Sequence, residues 1–403
     1  MSDKEHENRI VLHIAGTDRP GVTARLAGII AEENAELVNI GQSALNGYLM
    51  LSAIVDIPSN SNALRRILFD AAEQGLELEV SAFRPQIETR RAEMPGLCVT
   101  VLGDLAHGGA VAALTRFMAT RGMNIHEIRS LSEEALTGLE LMADVDPGKE
   151  LGDQGFADLR GAFLRLGKEL GVDLAVQKDD IFRRNKRLVC MDVDSTFVKG
   201  EFIDELAELV GVKEQVGAIT ARAMRGEIEF KQALAERVKL LEGLPIQKAK
   251  ELGDKLELTP GAKSFVRTLK SLGFRVGLVS GGFDFFVDEL KTRFGLDFAF
   301  ANELEVNGGI LTGRVQGTVV DPERKAQILR DMAKVYKCRL EQTVAIGDGA
   351  NDMLVLQTAG LGIAFRAKPK LQEVADMSLN HHERLDTLLF LMGFNARDLR
   401  SVE

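Results

Sequence analysis

Two aspartates stand one residue apart at the end of an apolar run, in the stretch Leu188-Val-Cys-Met-Asp192-Val-Asp194-Ser-Thr. A continuous apolar run of this kind is typical of a buried parallel strand. In an open α/β sheet, the ligand crevice lies just outside the carboxyl ends of the strands. A bare carboxylate is costly to bury without a partner. The pattern therefore places two carboxylates where chemistry is expected.

Three further motifs follow in the same half of the chain. Ser280-Gly-Gly ends a second strand pattern, Lys325 lies near the start of a helix pattern, and Asp348, Asn351 and Asp352 follow a third strand pattern. Carboxylates suit Mg²⁺, and a Ser followed by two glycines at a helix start offers a hydroxyl and N–H groups to a phosphate. A Lys neutralises charge on a transferring group. The set indicates metal-assisted phosphoryl chemistry.

The elements that must position these residues alternate between strands and helices from Lys186 onward. This alternation predicts a doubly wound, Rossmann-like parallel sheet with crossover helices. The predicted strands are 187–193, 274–280, 298–302, 343–347 and 361–364. The stretch 203–258 shows only helical periodicity and is expected to form a cap over the strand ends. The stretch 305–315 contains Asn-Gly-Gly and is expected to form a hairpin.

The first 180 residues look duplicated. Each half reads β-α-β-β-α-β, the ferredoxin-like pattern, and the polar stretch 84–93 separates the two halves. In the first half, the first helix is expected to begin at Pro20. We therefore expect domains at 1–86, 94–177 and 184–403, with the helical cap inserted in the third.

Composition limits the class of protein. The chain has 403 residues, 45% of them hydrophobic and 27% charged, and a net charge of −10. This balance argues against nucleic acid and anionic membranes as partners. Three scattered cysteines form no disulfide framework, and Cys190 is expected in the core. The polar start has no signal-peptide core and no apolar run is long enough to span a membrane, so we expect a cytoplasmic enzyme.

The four motifs, in this order, resemble the signature of the haloacid-dehalogenase-like phosphatase superfamily over essentially all of 186–403. The resemblance implies that Asp192 is the nucleophile that forms an aspartyl-phosphate and that Asp194 is general acid, then base. It also implies a Mg²⁺ ion held by Asp192, the backbone C=O of Asp194, and Asp348. The supporting residues would be Asp352 for the metal, and Ser280, Lys325 and Asn351 for the phosphoryl group.

The cap narrows the substrate class. Phe230, Leu234 and Arg237 share one helix face. An Arg on an apolar stripe suits bidentate capture of a carboxylate, although long side chains on helix surfaces often only extend to solvent. Glu201, at the cap entrance, is suited to meet an ammonium group or to cap the first helix.

These cap residues resemble the phosphoserine phosphatase family. In that family the positions of Glu201, Met224, Phe230 and Arg237 contact substrate, and Ser280, Gly281 and Gly282 line the site. The resemblance implies Mg²⁺-dependent hydrolysis of O-phospho-L-serine to L-serine and phosphate, the last step of L-serine biosynthesis. Phe197 departs from the Leu or Val that the family usually carries there.

The N-terminal repeats resemble ACT domains, which are amino-acid-sensing modules. The loop 16–21 joins the first strand to the first helix, where free N–H groups suit an α-carboxylate, unless it is only a turn. The second repeat lacks this Asp-Arg-Pro-Gly sequence. The resemblance implies an effector such as serine, feedback of that effector on activity, and a homodimer through these units. The candidate effector residues are Gly16, Asp18, Arg19, Pro20, Gly21, Asn39 and Gln42.

Two alternatives stay open at this level. One is an enzyme that passes the phosphoryl group to another hydroxyl, or that acts on a different small phosphorylated metabolite. The other is an amino-acid-sensing regulator with a vestigial phosphatase core. Effector identity, the sign of its effect, and ligand binding by the second repeat do not follow from the sequence.

Overall fold

The computed structural model describes residues 8–84, 96–132, 137–145 and 152–400. The chain divides into two compact units, Met1–Arg90 and Arg91–Glu403. The predicted linker at 84–93 lies almost wholly outside the described residues. No helix within the described ranges is both long enough and apolar enough to cross a membrane.

The first unit contains one β-α-β-β-α-β repeat with an antiparallel sheet in the order β2-β3-β1-β4. Its core is formed by apolar side chains on alternate positions of β1 and β3 and on one face of each helix. The elements are β1 (Arg9–Thr17), α1 (Val22–Glu32), β2 (Glu36–Leu45), β3 (Tyr48–Asp56), α2 (Ala63–Glu73) and β4 (Glu77–Ala82).

The start of α1 differs from the sequence-based expectation. The helix begins at Val22, not at Pro20, because Gly21 takes the N-cap position with a left-handed φ of 101°. Gly16 is the first residue of the loop 16–21, and a Cβ there would lie 2.6 Å from the Leu76 side chain. The loop is therefore shaped by two glycines that a larger residue would strain.

The second unit begins with the other repeat, whose sheet order is β6-β7-β5-β8. The ferredoxin-like pattern predicted for both repeats is confirmed. A Cβ on Gly103 would lie 2.7 Å from Val172, the same close approach that Gly16 makes in the first repeat. The elements are β5 (Gly96–Leu102), α3 (Gly109–Ala119), β6 (Met123–Ser130), β7 (Gly138–Val145), α4 (Asp153–Leu170) and β8 (Asp173–Lys178).

The second repeat is joined to the rest of its unit by buried contacts. Leu131 lies in the same hydrophobic core as the following α/β region. The Asp173 carboxylate accepts the backbone N–H of Asn380 at 2.7 Å and contacts the His382 ring nitrogen at 2.9 Å. The His382 side chain is 28% exposed, so this contact with a residue 209 positions earlier in the chain lies at the edge of the buried region.

The remainder is the predicted doubly wound domain. Its sheet has the order β12-β11-β10-β9-β13-β14-β15, parallel except for β12. The core elements are β9 (Leu188–Met191), α9 (Ala262–Ser271), β10 (Arg275–Phe283), α10 (Asp284–Phe294), β11 (Phe298–Asn307), β12 (Ile310–Gln316), α11 (Pro322–Val335), β13 (Thr343–Gly347), α12 (Met353–Thr358), β14 (Gly362–Phe365), α13 (Pro369–Gln372), β15 (Met377–Leu379), α14 (Leu388–Leu391) and α15 (Ala396–Arg400). All four residues of β9, Cys190 included, are buried.

The cap follows β9 and consists of four helices: α5 (Phe202–Leu209), α6 (Lys213–Met224), α7 (Phe230–Lys239) and α8 (Ile246–Gly253). The two chain segments that connect it to the core pair through Val198 and Leu258. The predicted hairpin, formed by β11 and β12, bonds to its other side, where Leu311 N–H donates to the Leu244 carbonyl at 2.9 Å. The cap therefore lies over the carboxyl end of β9, where strand order reverses.

Candidate active site

Asp192 and Asp194 emerge from the carboxyl end of β9 into a tight turn. Asp192 N–H donates to the Ile346 carbonyl of β13 at 2.9 Å, which fixes the first aspartate to its neighbouring strand. Ser195 then takes a left-handed φ of 56°, which turns the chain sharply towards the cap. The two carboxylates consequently face different partners.

The Asp194 carboxylate points towards β10 and the start of the cap. It accepts the Phe202 backbone N–H at 2.7 Å and the Ser280 hydroxyl at 3.2 Å. Burial, followed by the charges of Glu201 and Asp192, raises the pKa of Asp194 to about 7. A carboxyl group with this pKa is able to give and take a proton near neutral pH.

The Asp192 carboxylate lies against a buried cation. Lys325 Nζ donates to Asp192 Oδ1 and to Asp352 Oδ1, each at 2.8 Å, and its side chain is 1% exposed. Burial opposes the lysine charge, but the two carboxylates outweigh it and raise the pKa of Lys325. Asp352 also accepts the Gly349 N–H at 3.2 Å, so its carboxylate connects Lys325 to the loop after β13.

Three carboxylates form a group suited to a metal ion. Oxygen atoms of Asp192, Asp348 and Asp352 lie within 4.8 Å of one another. Burial, then the charges of Asp192 and Asp352, raise the pKa of Asp348 to about 8. An all-oxygen donor set with excess negative charge fits a hard divalent cation. The Asp194 side chain is not in this group, so only its backbone carbonyl is available for the role that the sequence suggested.

Ser280, Gly281 and Gly282 lie within extended β10, and the following helix starts only at Asp284. The expectation that they open a helix was therefore wrong. Gly282 N–H donates to Ser280 Oγ at 2.8 Å, and a Cβ on Gly282 would lie 3.0 Å from both that oxygen and Asp194 Oδ2. The glycines permit close approach of β10 to the catalytic turn.

A cavity of about 550 Å³ lies between these strand ends and the cap. Asp192, Asp194 and Asp348 line its floor, while Ser280 and Lys325 lie directly behind it. The residues predicted from the sequence that line the cavity are Asp192, Asp194, Glu201, Met224, Phe230, Arg237, Gly281, Gly282, Asp348 and Asn351. The structure thus brings the cap residues and the strand-end residues to one space.

The two charged cap residues differ from ordinary surface groups. Desolvation, then Asp192 and Asp204, raise the pKa of Glu201, whereas desolvation lowers the pKa of Arg237. Among the residues that the structure describes, the one hydrogen bond of Arg237 runs from Nε to the Ala233 carbonyl of its own helix, at 3.3 Å. The two terminal guanidinium nitrogens are therefore available to a ligand in the cavity.

Sequence reasoning missed one wall of this cavity. The segment Lys368–Leu371, which follows β14, also lines it. The rule that ligands bind beyond strand ends applies to β14 as well and could have drawn attention to this segment.

The loop 16–21 of the first repeat is held by hydrogen bonds within that repeat. Arg19 donates to the Gln74 carbonyl at 2.6 Å, and Asp18 N–H donates to the Gly47 carbonyl at 2.8 Å. Gln42 accepts the Thr23 hydroxyl. Asn39 Oδ1 accepts the next backbone N–H at 2.8 Å. The loop and the strand β2 are therefore connected through the first turn of α1.

Three family models match the chain. Residues 186–360 match a haloacid dehalogenase-like hydrolase. Residues 8–81 and 96–177 each match an ACT domain. The hydrolase match begins just before β9 and ends just before β14, and each ACT match covers one β-α-β-β-α-β repeat.

Similar proteins cover nearly the whole chain. A phosphoserine phosphatase of Mycobacterium tuberculosis is 43% identical over 98% of this chain and 95% of its own length. One of Streptomyces coelicolor is 40% identical over 98% of this chain and 94% of its own length. Among solved structures, a probable phosphoserine phosphatase of Vibrio cholerae is 32% identical, with a TM-score of 0.58 over 80% of this chain and 92% of its own. A haloacid dehalogenase family hydrolase of Salmonella enterica is 28% identical, with a TM-score of 0.62 over 74% of this chain and 98% of its own.

Proposed function

Because the chain belongs to the phosphoserine phosphatase family of haloacid dehalogenase-like hydrolases, we propose that it hydrolyses O-phospho-L-serine to L-serine and phosphate. It is a phosphoric monoester hydrolase with two N-terminal ACT domains. One observation carries the substrate assignment. A single cavity presents carboxylates beside a buried lysine at the strand ends, and a carboxylate and an arginine from the cap.

The reaction proceeds in two displacements. An Asp192 carboxylate oxygen attacks phosphorus, the bond from phosphorus to the serine oxygen breaks, and Asp194 gives its proton to that leaving oxygen. Asp194 then takes a proton from water, which attacks the aspartyl-phosphate and releases phosphate. The pKa of about 7 for Asp194 suits both directions of proton transfer.

The phosphoryl oxygens need positive partners. Gly281, Gly282 and Asn351 line the cavity, Ser280 lies directly behind its floor, and Lys325 donates to the nucleophile Asp192 from behind. We assign Mg²⁺ to Asp192, the Asp194 backbone carbonyl and Asp348, with Asp352 supporting them. When bound, the ion withdraws negative charge from the phosphoryl group.

The amino-acid part of the substrate is assigned to the cap. Glu201 meets the ammonium group and Arg237 the carboxylate, because these are the charged cap side chains that line the cavity. Met224 and Phe230 provide its apolar sides. Phe230 also closes over β10, since a Cβ on Gly281 would lie 3.2 Å from its ring.

The test is phosphate release from a panel of phosphorylated amino acids and sugars, with and without Mg²⁺. We expect O-phospho-L-serine to give the highest kcat/KM, and Asp192→Asn to abolish turnover and the acid-stable trapping of ³²P on the protein. A panel led by a sugar phosphate, or full activity of Asp192→Asn, would refute the substrate or the nucleophile respectively. Added acceptor alcohols distinguish phosphotransfer from hydrolysis.

For the first ACT unit we propose binding of an amino acid such as serine, with feedback on activity. Loop 16–21, with Gly16, Asp18, Arg19, Pro20 and Gly21, would hold the ligand together with Asn39 and Gln42. Serine inhibition that persists unchanged in Asp18→Ala and Gln42→Ala would contradict this location. A coupling of this kind requires different serine affinities in two states.

We also propose a homodimer through the ACT units. Strand β2 is an edge strand whose ten residues are all exposed, among them Leu37, Ile40 and Leu45. Exposed apolar edges are sites of association. Sedimentation that reports a monomer at micromolar concentration would refute the dimer. The domain limits at 1–86, 94–177 and 184–403 and the cytoplasmic location stay predictions.

A further inference from the structure

The positive charges that face the active-site cavity are few. Lys325 is committed to two carboxylates beneath the floor. The cap contributes Arg237, and the core contributes Lys368 and Lys370 from the segment after β14. The assignments above use only the first of these three.

The backbone of Lys368 is fixed to the catalytic strand end. Its N–H donates to the carbonyl of Asp348 at 3.1 Å, and its own carbonyl accepts the Leu371 N–H at 3.0 Å at the start of α13. Within the described part of the chain, its ammonium group has no carboxylate within 4.0 Å and no hydrogen-bond acceptor. The backbone of Lys368 is therefore fixed in position, while its ammonium group remains available to a ligand.

The charge of Lys368 reaches the amino-acid end of the site. Lys368 and Arg237 are the two cations that lower the pKa of Glu201, against burial and neighbouring acids that raise it. Lys368 also acts on Asp348 in the same direction. One cation from the core and one from the cap thus act on the Glu201 carboxylate. The proposed function places the ammonium and carboxylate groups of the substrate at this end of the cavity.

We propose that Lys368 is a specificity-determining residue that holds the substrate carboxylate from the core, opposite Arg237 on the cap. This inference rests on the proposed function and names how its substrate is selected. A carboxylate between the two cations connects cap and core, so closure favours phosphorylated amino acids over phosphate esters that lack the group. A lysine suits this position because its flexible four-carbon side chain can keep contact with the substrate carboxylate while the cap closes. The planar guanidinium of an arginine would require one fixed orientation of that carboxylate.

The test compares O-phospho-L-serine with O-phosphoethanolamine, which has the same phosphate and ammonium groups but no carboxylate. In Lys368→Gln we expect kcat/KM for phosphoserine to fall roughly 10- to 100-fold, the effect of one lost charge-assisted hydrogen bond. The value for phosphoethanolamine should change less than about twofold, because its transition state never used the contact. Lys368→Arg should recover part of the loss.

A matched control removes a lysine elsewhere. Lys263→Gln makes the same change in net charge on an exposed position of α9, outside the cavity, and should alter neither substrate. Lys368→Gln combined with Arg237→Gln should lose less than the product of the single losses, because both cations hold one carboxylate.

The outcomes distinguish a failure of the role of Lys368 from a failure of the proposed phosphoserine phosphatase function. Equal losses on both substrates in Lys368→Gln, or a preference for phosphoserine as strong as in wild type, overturn the role of Lys368 alone. A wild-type enzyme without any preference for phosphoserine over phosphoethanolamine overturns the proposed substrate instead.

Discussion

Replacing Lys325 by Met tests whether the floor of the active site is a charge-balanced group. The lysine donates to Asp192 and Asp352 at 2.8 Å each and is 1% exposed. Met has a similar length and volume, so the change removes the charge and leaves little space empty. The variant should lose stability mainly because two carboxylates remain without their cation.

The size of the effect follows from the separation of the carboxylates. Oxygen atoms of Asp192 and Asp352 lie within 4.8 Å of each other. Two unit charges at that distance repel by about 3.5 kcal/mol at an effective dielectric constant of about 20. Loss of one partner of a buried ion pair costs roughly 3–5 kcal/mol, which agrees. For a domain of about 200 residues this lowers Tm by roughly 6–20 °C.

The assay is differential scanning calorimetry of wild type, Lys325→Met and Lys325→Met/Asp352→Asn in EDTA at pH 5.5 and pH 8. The double variant removes the repulsion and should be more stable than the single one. Burial, and then the charge of Asp192, raise the pKa of Asp352 to about 7, so this group binds its proton more tightly in the folded state than in the unfolded chain. The stability of Lys325→Met should therefore be greater at pH 5.5 than at pH 8 and fall with rising pH, by up to about 1.4 kcal/mol per pH unit.

Two results would refute this reasoning. One is a loss below about 1 kcal/mol in Lys325→Met at pH 8, since the repulsion alone exceeds it. The other is a double variant that is no more stable than the single variant, because the two carboxylates would then not oppose each other.

Three further outcomes are expected. Asp194→Asn keeps the acceptor for Phe202 N–H but loses the proton, so the single-turnover rate of serine release from phosphoserine should fall roughly 10²- to 10⁴-fold. The leaving group of p-nitrophenyl phosphate needs no proton, so a similar loss in the burst phase of p-nitrophenol release, which reports the first displacement alone, would contradict the acid role. Burial, and then the charge of Asp192, raise the pKa of Asp348 to about 8, so Mg²⁺ binding below pH 8 should displace a proton from this group. The Kd for Mg²⁺ should therefore rise by up to about tenfold for each pH unit below 8. Titration calorimetry in two buffers that shows no proton release at pH 7 would count against this. Asp173→Asn should weaken the contact with His382 and lower the free energy of local opening at residues 380–382 by about 1–3 kcal/mol, which would appear as faster amide hydrogen exchange there. Unchanged exchange would show that the second repeat is held by other contacts.

The strand-end residues could be predicted because the signal is local. An apolar run that ends in charged residues predicts a buried strand and its functional edge, and this pattern occurs at β9 and again at β13. The ferredoxin-like repeats were equally visible, since each element has its own apolar periodicity. These features can be predicted from the local sequence because they do not depend on which residues pack against them.

Features that depend on distant partners were missed. Strand β15 has three residues, too few for a pattern, and it forms because β14 offers a free edge. The pairing of His382 with Asp173 and the position of Lys368 in the cavity both arise from tertiary packing. The start of α1 was misplaced for a local reason, because Gly21 supplies the left-handed N-cap that ends the loop after Pro20.

The attachments of the cap limit how the site can open. Leu258 and the Leu244–Leu311 pairing hold its last segment to the core through backbone bonds. Asp194 holds its first helix, because its carboxylate accepts the Phe202 N–H. Within the described ranges, α6 and the turn before α7 make no backbone hydrogen bond to the core, and Met224 lies at the end of α6. We therefore expect the cap to open at α6 and the turn before α7, with Asp194 remaining bonded to the start of α5.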